Sequence, residues 1–118
     1  MPFIEMQGVN RDTPQNVLER VEQLLKEKLA PILHCPEGWI SAHFPSDLME
    51  RPKDTIKCFV ETGKFQNLGD EEIDRMAREA CAITADIVFE NLSRDQIVEV
   101  FPLALRMDLH AIRKPSVP

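Results

Sequence analysis

The chain has 118 residues, 43% of them hydrophobic and 29% charged, which is the balance of one folded domain and leaves no room for two independent cores. Its formal net charge of −6 argues against a nucleic-acid binder, which needs cations to displace counterions from phosphates. The start MPFIEMQGVN lacks a basic region followed by an apolar one, and no apolar run approaches the ~20 residues that span a bilayer, so neither export nor a membrane is expected.

Residues 3–7 alternate, with Ile4 and Met6 on one side, and read as a short half-buried strand. A turn follows, and Thr13-Pro14 reads as an N-cap with proline in the first helical position. Val17, Val21, Leu24, Leu25 and Leu29 then form one helical stripe, which Pro31 is expected to end or kink. Residues 39–44 alternate again as a second strand that Pro45 stops, and the polar stretch 46–54 is a loop open to insertion.

The pattern repeats. Residues 55–61 form a third strand with Ile56, Cys58 and Val60 on its apolar side. After Thr62-Gly63-Lys64-Phe65, Asp70 opens a second helix whose early acids Glu71, Glu72 and Asp74 suit the helix dipole. Its apolar stripe runs Ile73, Met76, Ala77, Ala80, Cys81, Thr84, Ile87 and Val88, and Asn91 is placed to cap its end. Residues 97–101 make a fourth strand. The apolar tail 103–118, with Leu103, Leu105, Met107, Leu109 and Ile112, docks either on a neighbouring subunit or back on its own domain.

Two tandem βαβ units predict an α/β (α+β) domain over residues 1–118, with a four-stranded sheet and both helices on one face. Residues 1–45 form the first unit and 55–102 the second.

Among residues that carry chemistry, Pro2 stands out. With Met1 removed, it is a secondary amine at the start of a strand, and desolvation or a nearby cation lowers an α-amino group from its usual value near ~8 to give a neutral base. Cys58 and Cys81 fall on apolar faces and read as core thiols, while Cys35 sits beside His34 in a loop. The odd set of three cysteines suits a reducing, cytoplasmic compartment. His34, His43 and His110 lack metal-ligand spacing, so no metal is expected. Local basic spots at 51–53, Lys57, Lys64 and 113–114 read first as solvated surface charge.

The order of elements from Pro2 onward resembles the tautomerase superfamily. MPFIEMQGVNRDTPQNVLERV is similar to that family's catalytic proline, first strand and first helix. CPEGWISAHFPSDLM resembles the second strand of the macrophage migration inhibitory factor branch, and TGKF with SRDQIVEVFPLA resembles its later elements. VFPL and the overall length also resemble an uncharacterised bacterial branch of the same fold. The periodicity alone fits a ferredoxin-like dimer as well as a tautomerase-like trimer.

The resemblance implies a homotrimer with active sites at subunit interfaces and a cofactor-independent keto–enol tautomerase acting on a small carboxylate-bearing 2-oxo acid or its enol. It implies Pro2 as general base and acid, and a cation holding the substrate carboxylate. Arg11 resembles the substrate-binding arginine of the 4-oxalocrotonate branch, offset by one residue, and Lys64 lies where the other branch lines its pocket. The inhibitory-factor branch carries a pocket lysine where this chain has Cys35, and a tyrosine and an asparagine where it has Val98 and Val100. Those departures keep a second reading open, a non-catalytic trimer of this fold that binds a small ligand or a protein partner.

Overall fold

The computed structural model describes residues 2–45, 54–105, 111, 113 and 115. Strand β1 (Phe3–Gln7) has the expected alternation: Ile4 and Met6 are fully buried, while Phe3 and Glu5 are half-buried and Gln7 is exposed. Gly8 ends it at φ +92°, where a Cβ would lie 2.5 Å from the Thr55 carbonyl oxygen, so both conformation and space require glycine.

Helix α1 (Gln15–Leu33) starts one residue later than expected. Pro14 is the N-cap, extended at ψ 145°, and Thr13 instead closes a turn by donating its N–H to the Asn10 carbonyl at 3.1 Å. The helix also runs through Pro31, the residue expected to end or kink it. Pro31 lies in the last turn, where it forfeits one amide bond, and burial of Leu29, Ala30 and Leu33 holds that turn against the core. The chain leaves the helix at His34, left-handed at φ 54°, and Cys35 N–H donates to the Ala30 carbonyl at 3.2 Å.

Strand β2 (Ser41–His43) is shorter than the predicted 39–44. Glu37–Trp39 form a 3-10 turn, with Ile40 N–H donating to the Glu37 carbonyl at 3.1 Å, so pairing begins only at Ser41. Glu22 on α1 accepts the Ala42 N–H at 2.9 Å, satisfying an amide of this edge strand. Of the predicted loop 46–54, residues 46–53 lie outside the described residues.

Strand β3 (Thr55–Thr62) buries Ile56, Cys58, Val60 and Thr62. Helix α2 (Glu71–Asn91) is capped by Asp70, whose carboxylate accepts from Glu72 N–H at 3.0 Å and Ile73 N–H at 3.4 Å. Ala77, Ala80, Thr84, Ile87 and Val88 of its stripe are buried, and Ile73, Met76 and Cys81 are half-buried. At its end Asn91 donates to the Ile87 carbonyl at 2.8 Å, and Leu92 is the C-cap residue. Strand β4 (Ile97–Ala104) continues three residues beyond the predicted 97–101, through Pro102. It pairs on one side only, and an edge strand tolerates the missing amide. Of the tail residues, Met107, Leu109 and Ile112 lie outside the described residues.

The sheet order is β2-β1-β3-β4, with β1 parallel to β2, β3 parallel to β4, and β1 antiparallel to β3. Each βαβ unit therefore has its two strands adjacent. The split arrangement of a ferredoxin-like domain, with a strand of the other unit between them, is not formed. One face of the sheet packs Ile4, Met6, Ile56, Cys58 and Val60 against Val21, Leu25, Leu29 and Leu33 of α1 and Ala77, Ala80 and Val88 of α2. No helix among the described residues is long and apolar enough to cross a membrane.

The register fixes the opposite face as rows across the strands. One row reads Ser41, Phe3, Glu61, Leu103 and the next His43, Glu5, Phe59, Phe101. A third holds Gln7, Lys57 and Glu99, and Thr55 with Ile97 closes the grid. No helix covers this face among the described residues.

Candidate active site

Pro2 is buried at the head of β1, and its carbonyl accepts the Ser41 N–H at 3.4 Å, tying it to the start of β2. Antiparallel pairing decides what else reaches this end. Phe3 pairs with Glu61, so the next step of the ladder brings Thr62 and the Gly63–Phe65 turn alongside Pro2. Thr62 is buried, and its hydroxyl accepts the Lys64 N–H at 3.2 Å, which folds the chain into that turn. The Thr62 carbonyl accepts Leu105 N–H at 3.1 Å, so the end of β4 arrives at the same place.

Lys64 is exposed, and its Nζ donates to the His34 carbonyl at 3.4 Å, at the C-terminal end of α1. A cation there is favoured by the negative end of the helix dipole as well as by the hydrogen bond. The same ammonium acts on Cys35: burial pushes the half-buried thiol's pKa up, and Lys64 pulls it the other way. The head of β1, the ends of β3 and β4, and the end of α1 thus converge on one corner holding Pro2, Cys35 and Lys64.

Arg11 is elsewhere. It is exposed beyond Gly8, past the opposite end of β1, and five strand residues at ~3.3 Å each separate the two ends by roughly 17 Å. Within one chain the fold brings Lys64 to Pro2 and keeps Arg11 away from it. Beside Arg11 is a separate cavity of about 230 Å³, lined by the polar Asn10, Asp12, Thr13, Ser93 and Gln96 and by the apolar Val9, Ile56 and Leu92.

The remaining candidates have structural surroundings. Cys58 is fully buried and Cys81 half-buried, so the second is less of a core thiol than its place on the stripe suggested. His43 lies on the open sheet face, edge-on to Phe3 at 5.7 Å and 3.3 Å from the Ser41 hydroxyl. Val98 and Val100 pack against the core on the helix side of β4. His110 lies outside the described residues. Among the described residues no three of His, Cys, Asp and Glu gather as metal ligands.

Two participants escaped sequence reasoning. Thr62 lies one residue beyond the expected third strand 55–61, and the His34 carbonyl is a backbone group with no side-chain signature. A pairing of residues 3–7 with residues 55–61 in the antiparallel sense would have exposed the first.

No family model matches the sequence, and no curated protein matches it. Solved structures do. A macrophage migration inhibitory factor-like protein from Entamoeba histolytica superposes with a TM-score of 0.65 at 4% identity, covering 95% of each chain. A domain of unknown function from Sebaldella termitidis gives 0.64 at 17% identity, again over 95% of each. A fused 4-OT (4-oxalocrotonate tautomerase) symmetric trimer gives 0.57 at 9%, over 86% of this chain and 85% of that one. At such identities the likeness is one of fold, and that fold is the one the tautomerase superfamily uses.

Proposed function

From this fold we propose that the chain is a cofactor-independent keto–enol tautomerase for a small 2-oxo acid or its enol, working as a homotrimer with Pro2 as general base and acid. The observation that carries the reading is the burial of Pro2 at the corner where Lys64 is anchored. Burial and a neighbouring ammonium both favour the uncharged form of a proline amine freed by removal of Met1. The amine takes the hydroxyl proton of the enol, and its conjugate acid returns a proton to the adjacent carbon. The reaction is a proton relocation, so no electrons change hands and no co-reactant is consumed. Lys64 holds the substrate carboxylate and stabilises the enolate as its charge develops. Arg11, given its position, can serve Pro2 only from a neighbouring subunit.

The trimer in this proposal is supported by the symmetric trimer among proteins of the same fold. The chain's own open sheet face, with Phe59, Phe101 and Leu103 uncovered by helix, supports it from a second direction.

The test uses untagged protein shown by mass spectrometry to lack Met1, with phenylenolpyruvate and 2-hydroxymuconate followed by ultraviolet absorbance. Pro2→Ala should lower kcat/KM by roughly 10²-fold or more, the scale of losing a general base. Full activity in Pro2→Ala, or a processed wild type that ketonises neither enol faster than buffer, would remove the enzyme reading and leave the ligand-binding trimer.

A further inference from the structure

The segment from Cys35 to Ile40 spans the Pro2 corner. At one end the His34 carbonyl holds the Lys64 ammonium, and at the other Ser41 N–H donates to the Pro2 carbonyl. Phe3 pairs with Ser41, so Pro2 and Ile40 are neighbours one step earlier, and Trp39 is the next residue out. One strand spacing of ~4.8 Å and one Cα step of ~3.8 Å keep the Pro2 and Trp39 Cα atoms within roughly 9 Å. Trp39 is nevertheless 52% exposed, the largest of the exposed apolar side chains among the described residues.

That exposure is built into the turn. Trp39 N–H donates to the Pro36 carbonyl at 3.1 Å and Ile40 N–H to the Glu37 carbonyl at 3.1 Å. Ile40, 2% exposed, pins the far end in the core, so the backbone at Trp39 is fixed before any ligand arrives. Gly38 leaves the approach open, since nothing lies within 4 Å of where its Cβ would stand. Glu37 carries the only charged side chain from 35 to 40, and its carboxylate opposes a second carboxylate arriving beside the indole.

We propose that Trp39 is a specificity-determining residue of the Pro2 corner, its indole taking the ring-bearing apolar substituent of a monocarboxylate in preference to the second carboxylate of a dicarboxylic acid. The inference rests on the Pro2 corner being the ligand site, as the proposed function has it, and adds which molecules that site prefers. The 2-oxo acid group lies at Pro2 and Lys64, and the rest of the molecule extends along residues 35–40 towards Trp39. A planar ring gains contact area with the indole there and, stacked or edge-on, an attraction beyond that area. Closing the two apolar surfaces together also releases water from both.

The chain has one tryptophan and no tyrosine, so its intrinsic emission reports Trp39 alone. The probes are 3-phenylpropionate, an aryl monocarboxylate, and hexanedioate, a dicarboxylate without a ring, each added to untagged full-length protein lacking Met1. 3-Phenylpropionate should move the emission saturably to shorter wavelength and shield it from acrylamide, and hexanedioate should do neither. With the two enols, Trp39→Ala should raise KM for phenylenolpyruvate by roughly five- to tenfold with kcat nearly kept, the scale of one aromatic contact. KM for 2-hydroxymuconate should stay close to wild type, and Trp39→Phe, which keeps a ring, should recover most of the loss.

Emission that ignores 3-phenylpropionate, or an indole already shielded from acrylamide by a neighbouring subunit in the ligand-free protein, would overturn the proposal. So would a Trp39→Ala variant that weakens both enols equally, or a loss that Trp39→Phe does not recover. If neither enol is turned over, the enzyme reading fails and the emission titration decides alone: a saturable shift with 3-phenylpropionate supports the role of Trp39, and none overturns it.

Discussion

Burial raises the pKa of both Cys35 and Cys58, but only Cys58 is fully buried in the core, with no cation to offset it. Burial, and then the neighbouring Cys81 thiol, push Cys58 up to about 12 from an ordinary value of 9.0. A thiol whose pKa is raised by folding stabilises the folded state fully below the unfolded value and loses that contribution as pH rises through the folded one. Unfolding midpoints should therefore fall as pH rises from 9 towards 12, and less steeply in Cys58→Ala, a change whose cavity costs on the order of 1 kcal/mol. An identical slope in the variant would show that Cys58 does not contribute. The chain has no tyrosine, which removes one competing titration from this range. The place of Pro2 at the head of a strand was legible at this scale because residues 3–7 alternate directly after it. The anchor of Lys64 was not, because it is the carbonyl of His34, and any residue there would supply one.

Helix α2 was the most legible element, since its start rests on local chemistry that does not depend on the rest of the fold. Asp70 accepts two first-turn amides, and Glu71, Glu72 and Asp74 add negative charge where the helix dipole favours it. Asp70→Ala should cost about 1 kcal/mol in urea unfolding, and Asp70→Asn far less, because asparagine keeps the accepting oxygen. Equal losses in the two variants would assign the effect to charge and not to the cap. The prolines were harder to read. Pro31 and Pro102 each carry a local prohibition, and each was overridden by position: a last helical turn held by buried leucines in one case, an edge strand in the other. Strand β2 was overestimated for the reverse reason, because the Glu37–Trp39 turn consumes the amide that would have begun its ladder. Local rules predict which elements form; packing decides where they stop.

The sheet order β2-β1-β3-β4 determines which candidate residues can cooperate, and periodicity could not supply it because strand pairing is set by long-range contacts. Antiparallel β1 and β3 deliver Lys64 to Pro2, while Arg11 follows the other end of β1. Two cations that are equivalent candidates in the sequence are thereby placed at opposite ends of β1. In the proposed tautomerase, Lys64 acts within its own subunit, whereas Arg11 reaches a Pro2 only across an interface between copies. That difference can be read by subunit mixing. Pro2→Ala and Arg11→Ala should each be weakly active alone, the first for want of a base and the second for want of the neighbour's cation that assists Lys64 in holding the carboxylate. When the two are dissociated together and reassembled, a subunit with intact Pro2 can meet a neighbour with intact Arg11. Random mixing in a cyclic oligomer then restores about one site in four. Recovery of kcat/KM towards that fraction of wild type is the expected outcome. Two results would exclude the intersubunit role: an Arg11→Ala protein as active as wild type, or mixtures no more active than the average of their parents.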